Sequence, residues 1–316
     1  MSKKKEIAIG GQAVIEGVMM RGPAHIATCI RRKDGSLELQ KKSFNSITKR
    51  NKICGLPIVR GFASLIEMMI IGIKTLTFAA NRYELDFEDP KEKAKSDMRK
   101  KVEEGFSFVF AFALAGVLFG VVPYYLSHWF DNNALFNVIA GSIRITFFVL
   151  YIFLISKMKD VNRVFCYHGA EHKSVHAWEQ GTTLDAKEVQ KHTTLHPRCG
   201  TSFIFLVLLV AIFFFSIIDT VVEANWIDKL AWWQRLAIHF PFLPLISGLS
   251  YEILKFSGKN DKHPLVKFVT APGLALQKIT TQPPTDEMVE VAIVAMKSAL
   301  DLDVSEYKNL TILDVE

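Results

Sequence analysis

Residues 201–218 read TSFIFLVLLVAIFFFSII and decide the fold class, because 18 successive residues contain no charged side chain. A helix of about 20 apolar residues is long enough to cross a hydrocarbon core of about 30 Å. Residues 105–126 also contain no charge, and residues 134–156 contain only Arg144. Helices of soluble proteins rarely stay uncharged over such lengths. We therefore predict three membrane-spanning helices.

Two other apolar segments are less regular. The first, residues 236–254, contains one histidine, two prolines and one glutamate: His239, Pro241, Pro244 and Glu252. Proline removes a helical hydrogen-bond donor, so this segment predicts a broken or kinked fourth span. The second, residues 61–80, contains Glu67 and Lys74 and leaves open an interfacial helix, a helix packed on protein, or a further span. The predicted fold class is mainly α, a polytopic integral membrane protein with about four transmembrane helices and a small N-terminal β-containing region.

The charges indicate how the chain is oriented. Lysine and arginine total 38 and aspartate and glutamate 32, which gives a net charge of +6. The basic residues concentrate in residues 91–101, 157–200 and 255–267, and these alternate with segments poor in lysine and arginine. Basic loops stay in the cytoplasm, so we predict that both termini and residues 157–200 are cytoplasmic in the cell membrane. Nucleic-acid binding is not expected, because the positive charge follows the membrane topology.

The composition excludes two other classes. Half of the residues are hydrophobic, which rules out a disordered chain. Four cysteines in 316 residues are too few for a disulfide scaffold, and reduced thiols suit a cytoplasmic site. The chain begins with lysines that no apolar segment follows, so we expect no secretory signal peptide.

The predicted organisation has six parts. A β-hairpin is predicted in residues 24–42 around the turn Lys33-Asp34-Gly35, and a helix capped by Thr285 is predicted after Pro284. In chain order the parts are an N-terminal cytoplasmic β-containing region (1–60), an amphipathic or interfacial helix with a charged linker (61–104), spans one and two (105–156), a histidine-rich cytoplasmic loop (157–200), spans three and four (201–254), and a cytoplasmic C-terminal region with a helix (255–316).

The histidine-rich loop is where we expect chemistry. Five of the nine histidines lie between residues 168 and 196, and the core of the loop reads CYHGAEHKSVH from Cys166 to His176. On a helix, His168 and His172 are one turn apart on the same face, and two imidazoles at this spacing can bind one divalent ion. The segment HGAEH also has the H-x-x-E-H form of the inverted zinc-protease motif, which makes Glu171 a candidate general base.

A third ligand must come from elsewhere in the chain, and three residues could supply it. His196 and Cys199 lie in the segment HPRCG at the start of the third span, and Glu16 lies near the N-terminus. A thiolate would favour zinc or another borderline-soft divalent metal. Ser174 and Cys199 are also nucleophile candidates. The alternative is that several of these histidines have only surface or interfacial roles.

Residues 10–23, GGQAVIEGVMMRGP, contain four glycines around one carboxylate and one guanidinium. Glycine permits a close approach of the backbone to a ligand, so Glu16 could act as a ligand or base and Arg21 could hold an anion. An equally good interpretation is a turn-rich segment with a Glu–Arg ion pair. Arg144 and Glu252 lie inside predicted spans, where each has either a functional role or a structural partner.

Four segments resemble the YqhQ-like family of bacterial membrane proteins, over essentially the whole chain. They are residues 10–23, 167–173, 196–202 and 271–284. The family carries the label predicted metal-dependent enzyme, so the resemblance implies a metal site. The family's motif positions fall on Glu16, Arg21, His168, Glu171, His172, His196 and Cys199.

We therefore predict a metal-dependent membrane enzyme, a hydrolase with a site at the cytoplasmic face. His168, His172, His196 and Cys199 are the predicted metal ligands, and Glu171, Glu16 and Arg21 are the predicted catalytic residues. Zinc is the expected cofactor. Two alternatives stay open: a non-catalytic scaffold or regulator that binds a cytoplasmic partner, and a small transporter with Arg144 and Glu252 along its path. The expected partners are the lipid bilayer, a substrate or protein partner, and a second copy of the chain.

Overall fold

The computed structural model describes residues 9–87, 97–130, 132–227, 229–257, 260 and 263–313. It is mainly helical, with one five-stranded sheet near the N-terminus. The predicted mainly α fold class with an N-terminal β-containing region is therefore confirmed. Residues 88–96 of the predicted charged linker and the lysines near the N-terminus lie outside the described residues.

The sheet contains the predicted hairpin and three strands that the sequence did not indicate. Its order is β1-β2-β3-β4-β5, and these strands are Gly10–Val14, Gly17–Arg21, His25–Arg31, Leu37–Ser43 and Leu310–Leu313. The first four strands pair antiparallel, and β5 from the C-terminus pairs parallel with β4. Glu16 forms the turn between β1 and β2 with a φ of 51°, in the left-handed region.

Helices α6 (Lys159–Gln180) and α12 (Asp286–Ala299) pack against this sheet and form one core with it. Thr285 caps α12 as predicted, because its side chain accepts a hydrogen bond from the Met288 N–H. Ten of the 14 residues of α12 are buried, so this helix is the centre of the core. The C-terminal segment and the histidine-rich segment therefore fold together with the N-terminal sheet.

Among the described residues, five helical segments are long and apolar enough to cross a membrane: Val59–Asp86, Gly105–Ser127, Leu135–Ile155, Gly200–Asn225 and Trp232–Ser257. The second consists of the end of α3 (Asp97–Gly116), a π-helical turn (Val117–Val121) and α4 (Val122–Ser127). The third and fourth are the single helices α5 (Asn133–Ile155) and α8 (Gly200–Asn225). The last is broken as its prolines predict, into α9 (Trp232–His239), a 3-10 turn (Phe240–Phe242) and α10 (Leu243–Ser257).

Helix α2 (Val59–Phe87) packs on α10 and also contacts the sheet region. Glu67 accepts a hydrogen bond from Ser46, Gly72 lies against the side chain of Gln12, and Asp86 pairs with Arg32. These contacts extend over about 28 Å of helix at a rise of 1.5 Å per residue. The opposite side exposes apolar residues: Met69, Ile70, Ile73 and Leu76. Helix α2 therefore has one side on the protein and one apolar, exposed side.

The remaining helices connect these parts. The short helices α1 (Ile47–Arg50) and α7 (Ala186–Val189) lie in the sheet region. Helix α11 (Pro264–Thr280) packs on α8 and touches α5. Gly273 of α11 lies against Ser202 of α8, where a larger residue would collide with the serine side chain. This contact brings the end of α11 next to the start of α8.

Candidate metal centre

The first three histidines of the histidine-rich loop lie on one continuous helix, α6, as the spacing of His168 and His172 suggests. Gly169 lies within the helix, although glycine disfavours helical structure by about 1 kcal/mol relative to alanine. A Cβ at this position would overlap the carbonyl oxygen of Gln282. The glycine therefore allows residues 280–282 to pass directly over the helix. The N–H of Gln282 donates to the carbonyl oxygen of Phe165 at 2.9 Å in the same crossing.

His168, His172 and Cys199 form a group whose ligand atoms all lie within 4.8 Å of one another. Nε2 of His168 is 3.2 Å from Sγ of Cys199, and the centroids of the two imidazole rings are 4.4 Å apart. His172 and Cys199 are buried, and His168 is partly buried. Two nitrogens and one sulfur form a donor set that suits zinc and other borderline-soft divalent ions.

The outer hydrogen bonds of the two imidazoles fix which nitrogen carries hydrogen. His168 Nδ1 lies 2.8 Å from the carbonyl oxygen of Thr280, and His172 Nδ1 lies 2.5 Å from that of Thr194. A carbonyl oxygen only accepts, so both Nδ1 atoms donate. Each neutral ring then has its lone pair on Nε2. Burial also lowers the pKa of His172 below its ordinary value of 6.5, which favours the neutral form that binds metals. Metal-binding histidines in proteins show this same outer hydrogen bond.

Cys199 is held in place by the start of α8. It is the N-cap residue of that helix, and its sulfur accepts a hydrogen bond from the Thr201 N–H at 3.5 Å. The Thr201 hydroxyl lies 3.2 Å from the same sulfur. A helix N-terminus favours negative charge. The negatively charged thiolate is the form of cysteine that binds a metal.

Glu171 lies beside this group. Its Oε2 is 3.9 Å from Nε2 of His168, and its Oε1 accepts a hydrogen bond from the Gly11 N–H at 2.9 Å. Burial raises the pKa of this carboxyl group above 4.5, although the charge of His168 and the Gly11 hydrogen bond act in the opposite direction. Strand β1 therefore helps to position the carboxylate that the motif suggested as a base.

His176, Glu179 and His196 form a second group of candidate ligands next to the first. His176 Nε2 donates to the Leu195 carbonyl oxygen at 2.8 Å. The two ring nitrogens of His196 are both engaged: Nδ1 accepts from the Arg198 N–H at 3.3 Å, and Nε2 lies 3.4 Å from a Glu179 carboxylate oxygen. Because Arg198 also pairs with Glu179, the side chains of this group are linked in one hydrogen-bonded network.

The segment that carries these groups is fixed by two buried polar side chains. Nζ of Lys173 donates to the carbonyl oxygens of Gln190 and His192, at 2.6 and 2.7 Å. Burial lowers the pKa of this amine. Gln277, which is completely buried, bonds both backbone groups of His196. Sequence reasoning missed both residues, because nothing in the local pattern distinguishes them from other lysines and glutamines.

The structure places the other two predicted catalytic residues in ion-pair and aromatic contacts. Glu16 pairs with Arg163 of α6 and accepts from the Tyr167 hydroxyl at 3.2 Å. Its partner is thus Arg163, and not Arg21 as the turn-rich interpretation suggested. Arg21 contacts the sulfur of Met68 on α2 and lies over the ring of Phe44.

The two charged residues within the predicted spans have structural partners. Arg144 donates to the Phe119 carbonyl oxygen at 2.9 Å, and Glu252 pairs with Arg60 of α2 at 2.5 Å. A larger polar cluster lies where α8 ends, at the opposite end of that helix from Cys199. Arg235 there pairs with Asp219 and Glu223, and His239 lies 2.7 Å from Asp219.

Fold and site together define a class: a helical, membrane-type protein with a candidate His/Cys metal centre where a sheet region meets the apolar helices. The chain belongs to the DUF1385 family, described as a protein of unknown function, whose model matches residues 56–302. It is 35% identical over 322 residues to the uncharacterized protein YqhQ of Bacillus subtilis (strain 168), with 98% of each chain covered. The predicted YqhQ-like membership is thus confirmed. No solved structure matches the chain.

Proposed function

We propose that this protein is a metal-dependent membrane enzyme, a hydrolase whose metal is held by His168, His172 and Cys199. The observation that carries the proposal is the pair of backbone hydrogen bonds to the Nδ1 atoms. They leave two Nε2 lone pairs directed at the same thiol group. Zinc fits this donor set best, and three protein ligands leave one position for water or substrate. His196 and Gln277 act in this proposal as positioning residues.

A divalent ion at such a site supplies a Lewis acid and a water molecule of lowered pKa. Glu171 is the residue that holds and moves a proton at Oε2. Its hydrogen bond from Gly11 leaves Oε2 directed towards His168, and a raised pKa makes a carboxylate a stronger base near neutral pH. Glu16 accepts a hydrogen bond from Tyr167, the residue directly before His168. It therefore supports the helix that carries the ligands.

The proposed location of the site is the cytoplasmic face of the cell membrane. Helix α5 ends at Ile155 and α8 begins at Gly200, so both reach the site region at these ends. The segment between them contains seven lysines and arginines: Lys157, Lys159, Arg163, Lys173, Lys187, Lys191 and Arg198. Such a segment stays on the cytoplasmic side.

Metal analysis of the purified full-length protein tests the proposal. We expect about one equivalent of zinc in the wild type, since one three-ligand site holds one ion. His168→Ala/His172→Ala and Cys199→Ser should lose it. His192→Ala is the matched control. It removes an imidazole from the same segment, and that imidazole bonds Thr182 outside both groups of candidate ligands. Glu171→Gln should retain the metal and lose hydrolase activity. A folded wild type that binds no zinc after incubation with the metal would overturn the proposal.

A second candidate function is suggested by the Cys199–His168 contact alone. A thiol at a helix N-terminus, 3.2 Å from an imidazole whose other nitrogen bonds an acceptor, resembles the nucleophile and base of a cysteine hydrolase. Alkylation with N-ethylmaleimide separates the two. If Cys199 is a metal ligand, zinc protects it and a chelator makes it reactive. If Cys199 is a nucleophile, alkylation proceeds equally with and without chelator and abolishes activity.

A further inference from the structure

A groove lies on the membrane-facing helices next to the candidate metal centre. It has a volume of about 410 Å³, and its lining is almost entirely apolar: Ile145, Thr146, Val149, Leu150, Phe153 and Ile279. All but one of these residues belong to α5, a helix long and apolar enough to span the membrane. They extend over about 12 Å of that helix at 1.5 Å per residue. Phe153 and Leu150 are 45% and 49% exposed, so the groove opens outwards.

One end of this groove is basic. Lys157 follows α5 and is exposed, and its ammonium group lies 4.7 Å from the centroid of the Phe153 ring. Lys278 is exposed and directly precedes Ile279. Lys157 thus places an ammonium group at the groove, and Lys278 adds a basic residue on the neighbouring helix. A basic edge beside an apolar groove matches a phosphate linked to a hydrocarbon chain. The apolar lining excludes an inorganic anion as the occupant of the groove itself.

The groove also lies next in the chain to a residue that orients a proposed metal ligand. Ile279 lines it, and the carbonyl oxygen of the next residue, Thr280, accepts the hydrogen bond from His168 Nδ1 at 2.8 Å. A molecule whose chain lies along α5 and whose head group lies near Lys157 would thus place that head group close to the segment that orients His168.

We infer that this groove binds one acyl chain of an anionic phospholipid and that such lipids are the substrate class of the site. The substrate assignment rests on the proposed function, whereas the binding site does not. The occupant is a bilayer lipid because the groove lies on a helix that is long and apolar enough to span a membrane, and its charge preference follows from the two lysines.

Photo-crosslinking of the full-length protein tests the inference. The probe is phosphatidylglycerol with a diazirine in its acyl chain, in vesicles of phosphatidylcholine. We expect crosslinks on peptides of α5 and α11, reduced at least threefold by Val149→Trp, which fills the groove. Leu154→Trp is the matched control, because Leu154 is 57% exposed on the same helix but does not line the groove. Equal labelling of Val149→Trp and Leu154→Trp would mean ordinary lipid contact and would overturn the inference.

A second pair of variants tests the head group without altering the groove. Lys157→Glu/Lys278→Glu should remove the preference for the phosphatidylglycerol probe over a phosphatidylcholine probe. Lys255→Glu, at the exposed end of α10, should keep it. An unchanged preference in the double variant also contradicts the inference.

Zinc content measured on the same samples separates the two proposals. Val149→Trp should retain the zinc of the wild type, which also shows that the variant is folded. Groove-specific labelling of a protein that holds no zinc would support the lipid site and contradict the proposed metal-dependent enzyme. Bound zinc without groove-specific labelling would support the metal site and contradict the lipid site.

Discussion

The side-chain amide of Gln277 bonds both backbone groups of His196: Oε1 accepts from the N–H at 2.7 Å, and Nε2 donates to the carbonyl oxygen at 2.8 Å. The same Nε2 also lies 2.7 Å from the hydroxyl of Ser202. His196 and Ser202 come three residues before and three residues after Cys199. One side chain of α11 therefore fixes the chain on both sides of the proposed thiolate ligand.

We predict that Gln277→Leu lowers both stability and metal affinity. The leucine leaves a buried N–H and a buried carbonyl of His196 without their partner, at a cost of about 2–4 kcal/mol in free energy of unfolding. Zinc affinity should fall about 10–100-fold, as when other residues that orient metal ligands are removed. Thermal unfolding and competition with a zinc chelator measure the two effects. Gln180→Leu, on the exposed end of α6, is the control and should change neither. Unaltered zinc affinity in Gln277→Leu would contradict the proposal that Gln277 positions the metal ligands.

Gly11→Ala is predicted to disturb the site, whereas Gly10→Ala is not. A Cβ on Gly11 would overlap the Met19 carbonyl oxygen and would lie 2.9 Å from Cγ of Glu171. At Gly10, no heavy atom lies within 4 Å of the position a Cβ would take. Strand β1 must therefore shift in the first variant, and the hydrogen bond from Gly11 to Glu171 must lengthen. Thermal unfolding should show a loss of about 1–3 kcal/mol for Gly11→Ala. Equal stability of the two variants would contradict the close packing.

Local patterns account for the parts of the fold that were predicted. The apolar helices follow from uncharged segments, the break before α10 follows from Pro241 and Pro244, and the hairpin follows from the turn at Gly35. Strands β1 and β2 were missed because four glycines made residues 10–23 resemble a loop. Strand β5 was missed because its partner β4 is far away in the chain, so the two pair through tertiary packing alone.

The candidate site divides in the same way. The spacing of His168 and His172 sets their shared helix face, and the choice among third ligands stayed open because His196, Cys199 and Glu16 lie far from α6 or at its margins. The carbonyl oxygens of Thr194 and Thr280, which orient the two rings, belong to backbone that any residue carries. No residue type marks such an acceptor, so only the tertiary structure identifies it.

The orientation proposed for the membrane can be tested with single cysteines in a cysteine-free variant. Trp226→Cys lies at the end of α8 opposite the site, where the tryptophan is 73% exposed. We expect a membrane-impermeant maleimide to label it in intact cells. Lys187→Cys, at an exposed position of α7, should be labelled only after the membrane is opened. The opposite pattern would place the metal centre outside the cell.

The second histidine group predicts how stability depends on pH when no metal is bound. Burial lowers the pKa of both His176 and His196 below 6.5. For Glu179, burial alone raises the pKa, but the hydrogen bond with His196 and the charges of His196 and Arg198 outweigh it, so the net shift is downward from 4.5. In all three cases the unfolded chain takes up protons at a higher pH than the folded chain does. The free energy of unfolding therefore rises with pH.

Each histidine then contributes a slope of at most about 1.4 kcal/mol per pH unit, which begins as the pH falls below 6.5. We expect the melting temperature of chelator-treated protein to fall between pH 7.5 and 5.5, and to fall further below pH 4.5 as Glu179 is protonated. The raised pKa of Glu171 acts in the opposite sense above pH 4.5, because the folded state then binds the extra proton. His176→Gln/His196→Gln should reduce the slope between pH 7.5 and 5.5 and leave the part due to His172, whose pKa burial also lowers. The same steep dependence in this double variant would show that other groups cause it.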